Sequence, residues 1–158
     1  MEYPADKRGG EMEPKEVVTE FISRCDAGLA GREGGDPYAL LAEGIELRIQ
    51  GHTILAGDYV GREIIEKVLV GGLATRVAKA RIELDSLIGD GAKVASLLRI
   101  TGETIDGKVY NPKDDPGGCL FTVNEDQISQ IRLFLDNTMV ETVLYGRQYV
   151  APELGEEA

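Results

Sequence analysis

From Pro14 the apolar residues Val17, Val18, Phe21, Ile22, Cys25 and Leu29 recur at spacings of three and four. That is one face of an amphipathic helix turned toward a core. The stretch GREGGDP that follows is a loop, and Asp36-Pro37 is a helix-start signal, because Asp caps free N–H groups and Pro suits the first helical position. A short second helix is expected through Tyr38, Leu40 and Leu41. Ile45, Leu47 and Ile49 then alternate with Glu46, Arg48 and Gln50, the period of a half-buried strand. After a short segment at His52, the run from Ala56 to Gly61 reads as a turn. Ile64, Ile65, Val68 and Leu69 predict a third helix that begins near Gly61 and frays at Gly71-Gly72. Strands are expected at roughly 76–88, 93–103 and 118–136, the last with a break at Asn124–Gln127, and a brief one at Val109–Asn111. Glycine turns around Asp90 and Asp106 separate them as hairpins. The segment NTMVETVLYGR closes the pattern as a short helix.

Helices ahead of hairpin-linked strands indicate an α+β domain, with the helices packed on one face of a curved, mainly antiparallel sheet. Such a sheet encloses a conical, largely apolar pocket. With 158 residues there is room for one such domain. Its expected limits are 14–150, between an N-terminal arm at 1–13 and an acidic tail at 151–158. Positions such as Val94, Ser96, Leu98 and Ile100 are expected to face outward and supply apolar contacts to a second copy.

Charge and composition narrow the chemistry. Seventeen Lys and Arg against 28 Asp and Glu give a net charge of −11, a field that repels nucleic-acid phosphates and anionic lipid surfaces. No apolar run approaches the roughly 20 residues of a membrane span, and no signal-peptide core precedes the first helix, so a cytoplasmic protein is expected. The two cysteines, Cys25 and Cys119, have no metal or redox spacing. With a single histidine, His52, and no HExxH pattern, neither a metal nor a cofactor is expected; GxGxxG, GxxxxGK[ST] and GxSxG are absent. Cys119 with His52 is the one nucleophile and base pair available, and a small buried apolar Cys119 is the plainer reading.

The stretch from Ile45 to Ile65, containing ELRIQGHTILAGDYVGREII, joins a strand through Leu-Ala-Gly-x-Tyr-x-Gly to a helix. Together with TGETIDGKVYN at 101–111 and FTVNEDQISQIRLFLDNTMV at 121–140, it resembles the SnoaL-like polyketide cyclases of the nuclear transport factor 2-like superfamily, which also holds steroid Δ-isomerases and limonene epoxide hydrolase. The resemblance implies a cone-shaped fold, a homodimer through the outer sheet face, and metal-free acid–base chemistry on a small apolar carbonyl compound. The alternative is a non-catalytic ligand-binding or assembly module of the same fold. The isomerase positions fall near Phe21, His52 and Cys119, and the hydrolase Arg-Asp pair falls at Arg132-Leu133, so neither constellation transfers. The cyclase Asp at the end of the last strand falls at Asp136.

Asp136 and His52 are therefore the candidate catalytic groups. A desolvated Asp136 is a general base near neutral pH, whereas an Asp before Asn137-Thr138 is also a helix cap. Strand alternation puts Asp136 with Arg132 and Phe134, opposite Ile131, Leu133 and Leu135, so the strand end must turn it inward. His52 is either a proton relay or a half-exposed residue at a strand end. Tyr59 and Tyr110 are candidate ligand-binding phenols, or rings packed with their hydroxyls at the surface. Arg99 and Arg132 are candidate ligand-binding cations if inward, and solvated if outward.

Overall fold

The computed structural model describes residues 12–148. The proposed arm and tail lie outside them, apart from residues 12–13. Helix α1 spans Pro14–Leu29 and buries Val17, Val18, Phe21 and Ile22 as the spacing requires. Pro37–Leu40 forms a single 3₁₀ turn, started by the Asp36 side chain accepting from the Tyr38 N–H at 2.9 Å. Leu41, read as helical, instead opens strand β1 (Leu41–Ile49), four residues ahead of the alternating stretch. The expected turn at 56–61 contains a short edge strand, β2 (Gly57–Val60), paired antiparallel with β1. A strand of four residues flanked by glycines carries too little alternation to stand out from a turn.

Gly61, at φ 95°, then swings the chain into α2 (Arg62–Gly72) and donates its N–H to the Ile45 carbonyl. Ala74–Arg76 make another 3₁₀ turn, so the strand expected from about 76 begins only at Arg81. The strands that follow are β3 (Arg81–Asp90), β4 (Lys93–Glu103), β5 (Val109–Tyr110), β6 (Pro116–Asn124) and β7 (Gln127–Leu133). The hairpin between β6 and β7 turns on Glu125 and Asp126, both at positive φ, the type I′ geometry that matches strand twist. A short C-terminal helix, α3 (Asn137–Met139), widens into a π-turn at Val140–Leu144.

The sheet runs β2-β1-β7-β6-β4-β3, with β5 attached to β4. All its pairings are antiparallel except that of β1 with β7, where Leu47 lies beside Ile131 and Ile49 beside Leu133. Register shifts at Leu84/Ser86 and Thr122/Val123 mark bulges that bend the strands, and the sheet curls into a half-barrel. Its concave face carries Leu47, Ile49, Val94, Leu98, Phe121 and Ile131 toward α1, where Phe21 meets Phe121 edge-on at 6.0 Å. The outward assignment of Val94, Ser96 and Leu98 is thus reversed: all three are buried. Both faces of β4 hold apolar residues, so alternation alone could not tell them apart. The outer face carries Lys93, Leu97 and Arg99.

One polar clamp ties α1 to the sheet edge. The Asp26 carboxylate accepts from Arg81 Nε at 3.0 Å and from the Ile82 N–H at 2.9 Å. Burial works against its charge, yet these bonds and the nearby Arg81 and Arg32 charges hold its carboxyl below the usual range. A lowered folded-state pKa stabilises the protein above the unfolded value of about 4, and that contribution is lost as pH falls through the folded value. Asp26→Asn is expected to cost on the order of 1–2 kcal/mol in urea unfolding at pH 7. It should also flatten the decline in stability below about pH 4, measured as unfolding midpoint against pH.

Candidate functional site

A straight helix over a concave sheet leaves space, and here it is a cavity of about 390 Å³. Its floor is the inner sheet, with Leu98, Cys119, Phe121 and Leu133. Cys25 and Gly28 of α1 form one wall, where small side chains keep the space open. Tyr38, Val70, Leu73, Val77 and Leu144, at least partly exposed, lie toward the surface, and the buried Tyr110 completes the lining.

The lining is almost wholly apolar. Its one ionised side chain is Arg24, whose guanidinium is engaged by Glu20 at 2.8 Å and by the Asp36 carbonyl at 3.1 Å. The uncharged polar side chains are two phenols, two free thiols and the Thr101 hydroxyl. Burial pushes the Tyr38 phenol up to about 12, helped by Cys25 and the carboxylates of Glu66 and Asp36. Burial does the same to Tyr110, also to about 12, with Asp136 adding to it. Both therefore present O–H groups at neutral pH, and neither hydroxyl has a hydrogen-bond partner among the described residues. The Cys25 thiol is raised to about 12 by burial and then by Asp26. Burial raises Cys119 further, with a smaller contribution from Cys25 across the cavity. These are protonated, weakly polar thiols rather than nucleophiles.

Of the residues singled out by sequence, Tyr110 lines this cavity. Asp136 stands exposed at the start of α3, its carboxylate accepting from the Met139 N–H at 3.0 Å, and it is close enough to Tyr110 for its charge to act on the phenol. His52 is exposed in the turn between β1 and β2. Tyr59 donates its hydroxyl to the Leu55 carbonyl at 2.6 Å. Its ring packs against the core, on the face it shares with its β1 partner Leu47, whereas Arg132 lines a separate groove of about 650 Å³ on the outer sheet face. Arg99 is also outward, held between Asp85 at 2.8 Å and Asp114 at 3.1 Å. Of the six, Tyr110 alone lines the cavity; Asp136 stands outside the lining, within electrostatic reach of that phenol. Tyr38 and Cys25 escaped notice as site residues. Cys25 sat in the apolar stripe of α1, and nothing in the spacing shows that the loop after α1 folds Tyr38 back beside it.

No family model matches the chain, and no curated protein does. Solved structures do. A nuclear transport factor 2-like protein from Burkholderia thailandensis superposes with a TM-score of 0.67 at 20% identity, covering 84% of this chain and 97% of that one. The fold is nuclear transport factor 2-like. A protein of unknown function with a cystatin-like fold from Xanthomonas campestris gives a TM-score of 0.63 at 16% identity, over 81% of this chain and 95% of the other. A Mycobacterium tuberculosis protein, solved in complex with estradiol-17beta-hemisuccinate, gives 0.62 at 17% identity, over 81% and 98%. At these identities the likeness carries the nuclear transport factor 2-like architecture and no activity. Among the described residues no helix is long and apolar enough to cross a membrane, and no group of three or more His, Cys, Asp and Glu is placed to hold a metal ion.

Proposed function

We propose that the inner cavity binds a small, largely apolar carbonyl compound, with the Tyr38 and Tyr110 hydroxyls as its hydrogen-bond donors. The observation that carries this reading is an apolar enclosure with two unpartnered phenols on its wall. Its volume of about 390 Å³ lies at the lower end of the range for small-ligand sites. The steroid derivative bound by the Mycobacterium tuberculosis protein is a ligand of comparable character on the same architecture. An uncharged dye, N-phenyl-1-naphthylamine, should brighten on mixing with the protein. Cys25→Phe, which places a ring in the cavity, should weaken that binding at least tenfold, about 1.4 kcal/mol. Equal brightening by both proteins overturns the reading.

Proton transfer of the SnoaL-like kind is the second reading, and the electrostatic effect of Asp136 on the Tyr110 phenol favours it. In it Asp136 takes a proton from the carbon beside the ligand carbonyl while Tyr110 donates a hydrogen bond to the developing oxyanion. His52 and Tyr59 take no part from their positions. Asn caps helices about as well as Asp, so Asp136→Asn separates the two roles of the carboxylate. A drop of roughly a hundredfold or more in turnover of an identified ligand, at unchanged affinity and stability, supports the base. Unchanged turnover leaves a cap and a binding module.

The partner we propose is a second copy of the chain, seated on the outer sheet face. Leu97, Leu120 and Phe134 are each about 40% exposed there and Ile88 is 70% exposed, with the Phe134 ring lying over Gly118. Apolar side chains gathered on one sheet face mark an association surface. Sedimentation should show a dimer at micromolar concentration and a monomer for Leu120→Glu; a monomeric parent chain rejects the surface.

A further inference from the structure

The guanidinium of Arg76 is an anomaly at the edge of the cavity. Arg76 ends the 3₁₀ turn after α2, between Ala74 and Val77, both of which line the cavity. Its carbon Cζ lies 3.8 Å from the centroid of the Tyr145 ring, and Tyr145 follows Leu144, another lining residue. The ring is fixed in turn, because the Tyr145 hydroxyl donates to the Gly72 carbonyl at 2.7 Å. The stack therefore has a defined place, over the rim where the end of α2 meets the C-terminal π-turn.

The charge in that stack is not balanced. Arg76 is mostly covered, its Nε is buried, and that nitrogen has no hydrogen-bond partner among the described residues. Glu141, one helical turn before Tyr145, is drawn elsewhere: Oε1 accepts from the Ile54 N–H at 2.8 Å, and Oε2 lies 3.0 Å from Arg147 Nε, although this buried oxygen, like Arg76 Nε, makes no hydrogen bond among the described residues. An aromatic face offsets part of the cost of covering a cation but accepts none of its N–H bonds. By contrast Arg24, on α1, has an ion-pair partner in Glu20 and also donates to the Asp36 carbonyl. Apart from Glu141, the carboxylates that act on the cavity stand elsewhere, with Asp36 and Glu66 acting on Tyr38 and Asp136 on Tyr110, and they repel an anion from those two places.

Resting on the reading of the cavity as a ligand site, we propose that its ligand ends in a carboxylate, which leaves the apolar space between Leu73 and Leu144 and pairs with Arg76. The ligand class narrows to apolar acids, with the body held by the sheet and helices and the acid group held at the rim. Tyr145 acts as a positioning residue, since its ring, 3.8 Å from Cζ, supports the guanidinium.

The test is displacement of N-phenyl-1-naphthylamine from the whole chain by decanoate and by decanamide, which share a tail and differ in charge. Decanoate should displace the dye at roughly tenfold lower concentration, the effect of one partly solvated charge-assisted pair. Arg76→Gln should bring the two together while leaving dye affinity unchanged, and Arg76→Lys should retain part of the difference. Raised salt should narrow the gap in the parent protein. Tyr145→Leu, which keeps the arginine and removes its support, should also narrow it, and serves as the second variant if Arg76→Gln fails to bind the dye. Equal displacement by acid and amide in the parent protein overturns the proposal, as does an acid preference that survives Arg76→Gln. Absence of dye binding by the parent protein is a different failure: the cavity reading falls, and this proposal with it.

Discussion

A sheet curled by bulges has an inner face too concave for a straight helix to fill. Every long strand contributes apolar residues to that face, and α1 lies across it with Phe21 against Phe121. The helix covers the middle of the sheet and leaves the space beside Cys25 and Gly28 open. Elsewhere the interior is closed, with Val17, Val18, Ile45, Ile65 and Ile128 fully buried. Close packing is thus reached in most of the core and given up in one place, where empty apolar volume costs stability unless something occupies it. The Asp26 clamp matters because it fixes the angle of α1 against β3, and that angle sets the width of the space.

The local periods made much of this legible. The stripe from Val17 to Leu29, the alternation at Ile45–Ile49 and the helix from Ile64 all lie where the spacing put them, as does the hairpin turn at Glu125-Asp126. What the periods could not carry was anything decided by partners far away in the chain. The parallel pairing of β1 with β7 joins segments more than 80 residues apart, and β2 exists because β1 offers it an edge. For β4, apolar residues stand on both faces, so the inward set was set by the bend of the sheet rather than by composition. The site shows the same division. Tyr110 was visible as a phenol in a strand, but its neighbours Tyr38 and Cys25 reach the cavity from α1 and the loop behind it. Asp136 was legible as a cap from Asn137-Thr138, and its carboxylate makes that bond.

Charge is kept out of the interior and arranged around it. A chain of net charge −11 surrounds a cavity whose one charged lining side chain is neutralised locally. The phenols inside stay protonated because burial opposes ionisation and the carboxylates outside add to that opposition. The site therefore works by supplying O–H donors in a low-dielectric space, where a hydrogen bond is stronger than in water. Such an interior favours solutes that shed their water cheaply, and it leaves recognition of any ionised group to the rim.

The parallel contact between β1 and β7 also bears on how the molecule assembles in time. Strands β3, β4, β6 and β7 are joined by turns and short loops and can zip up as successive hairpins. β1 finds its place only after β7 exists, closing a loop of some 80 residues at an entropic cost. On a ribosome, β1 and its edge partner β2 would emerge long before the strand they lean on. Until then Leu47 and Ile49 have half of their final cover, which leaves the early chain exposed to wrong pairings and makes completion of the sheet a late event in folding.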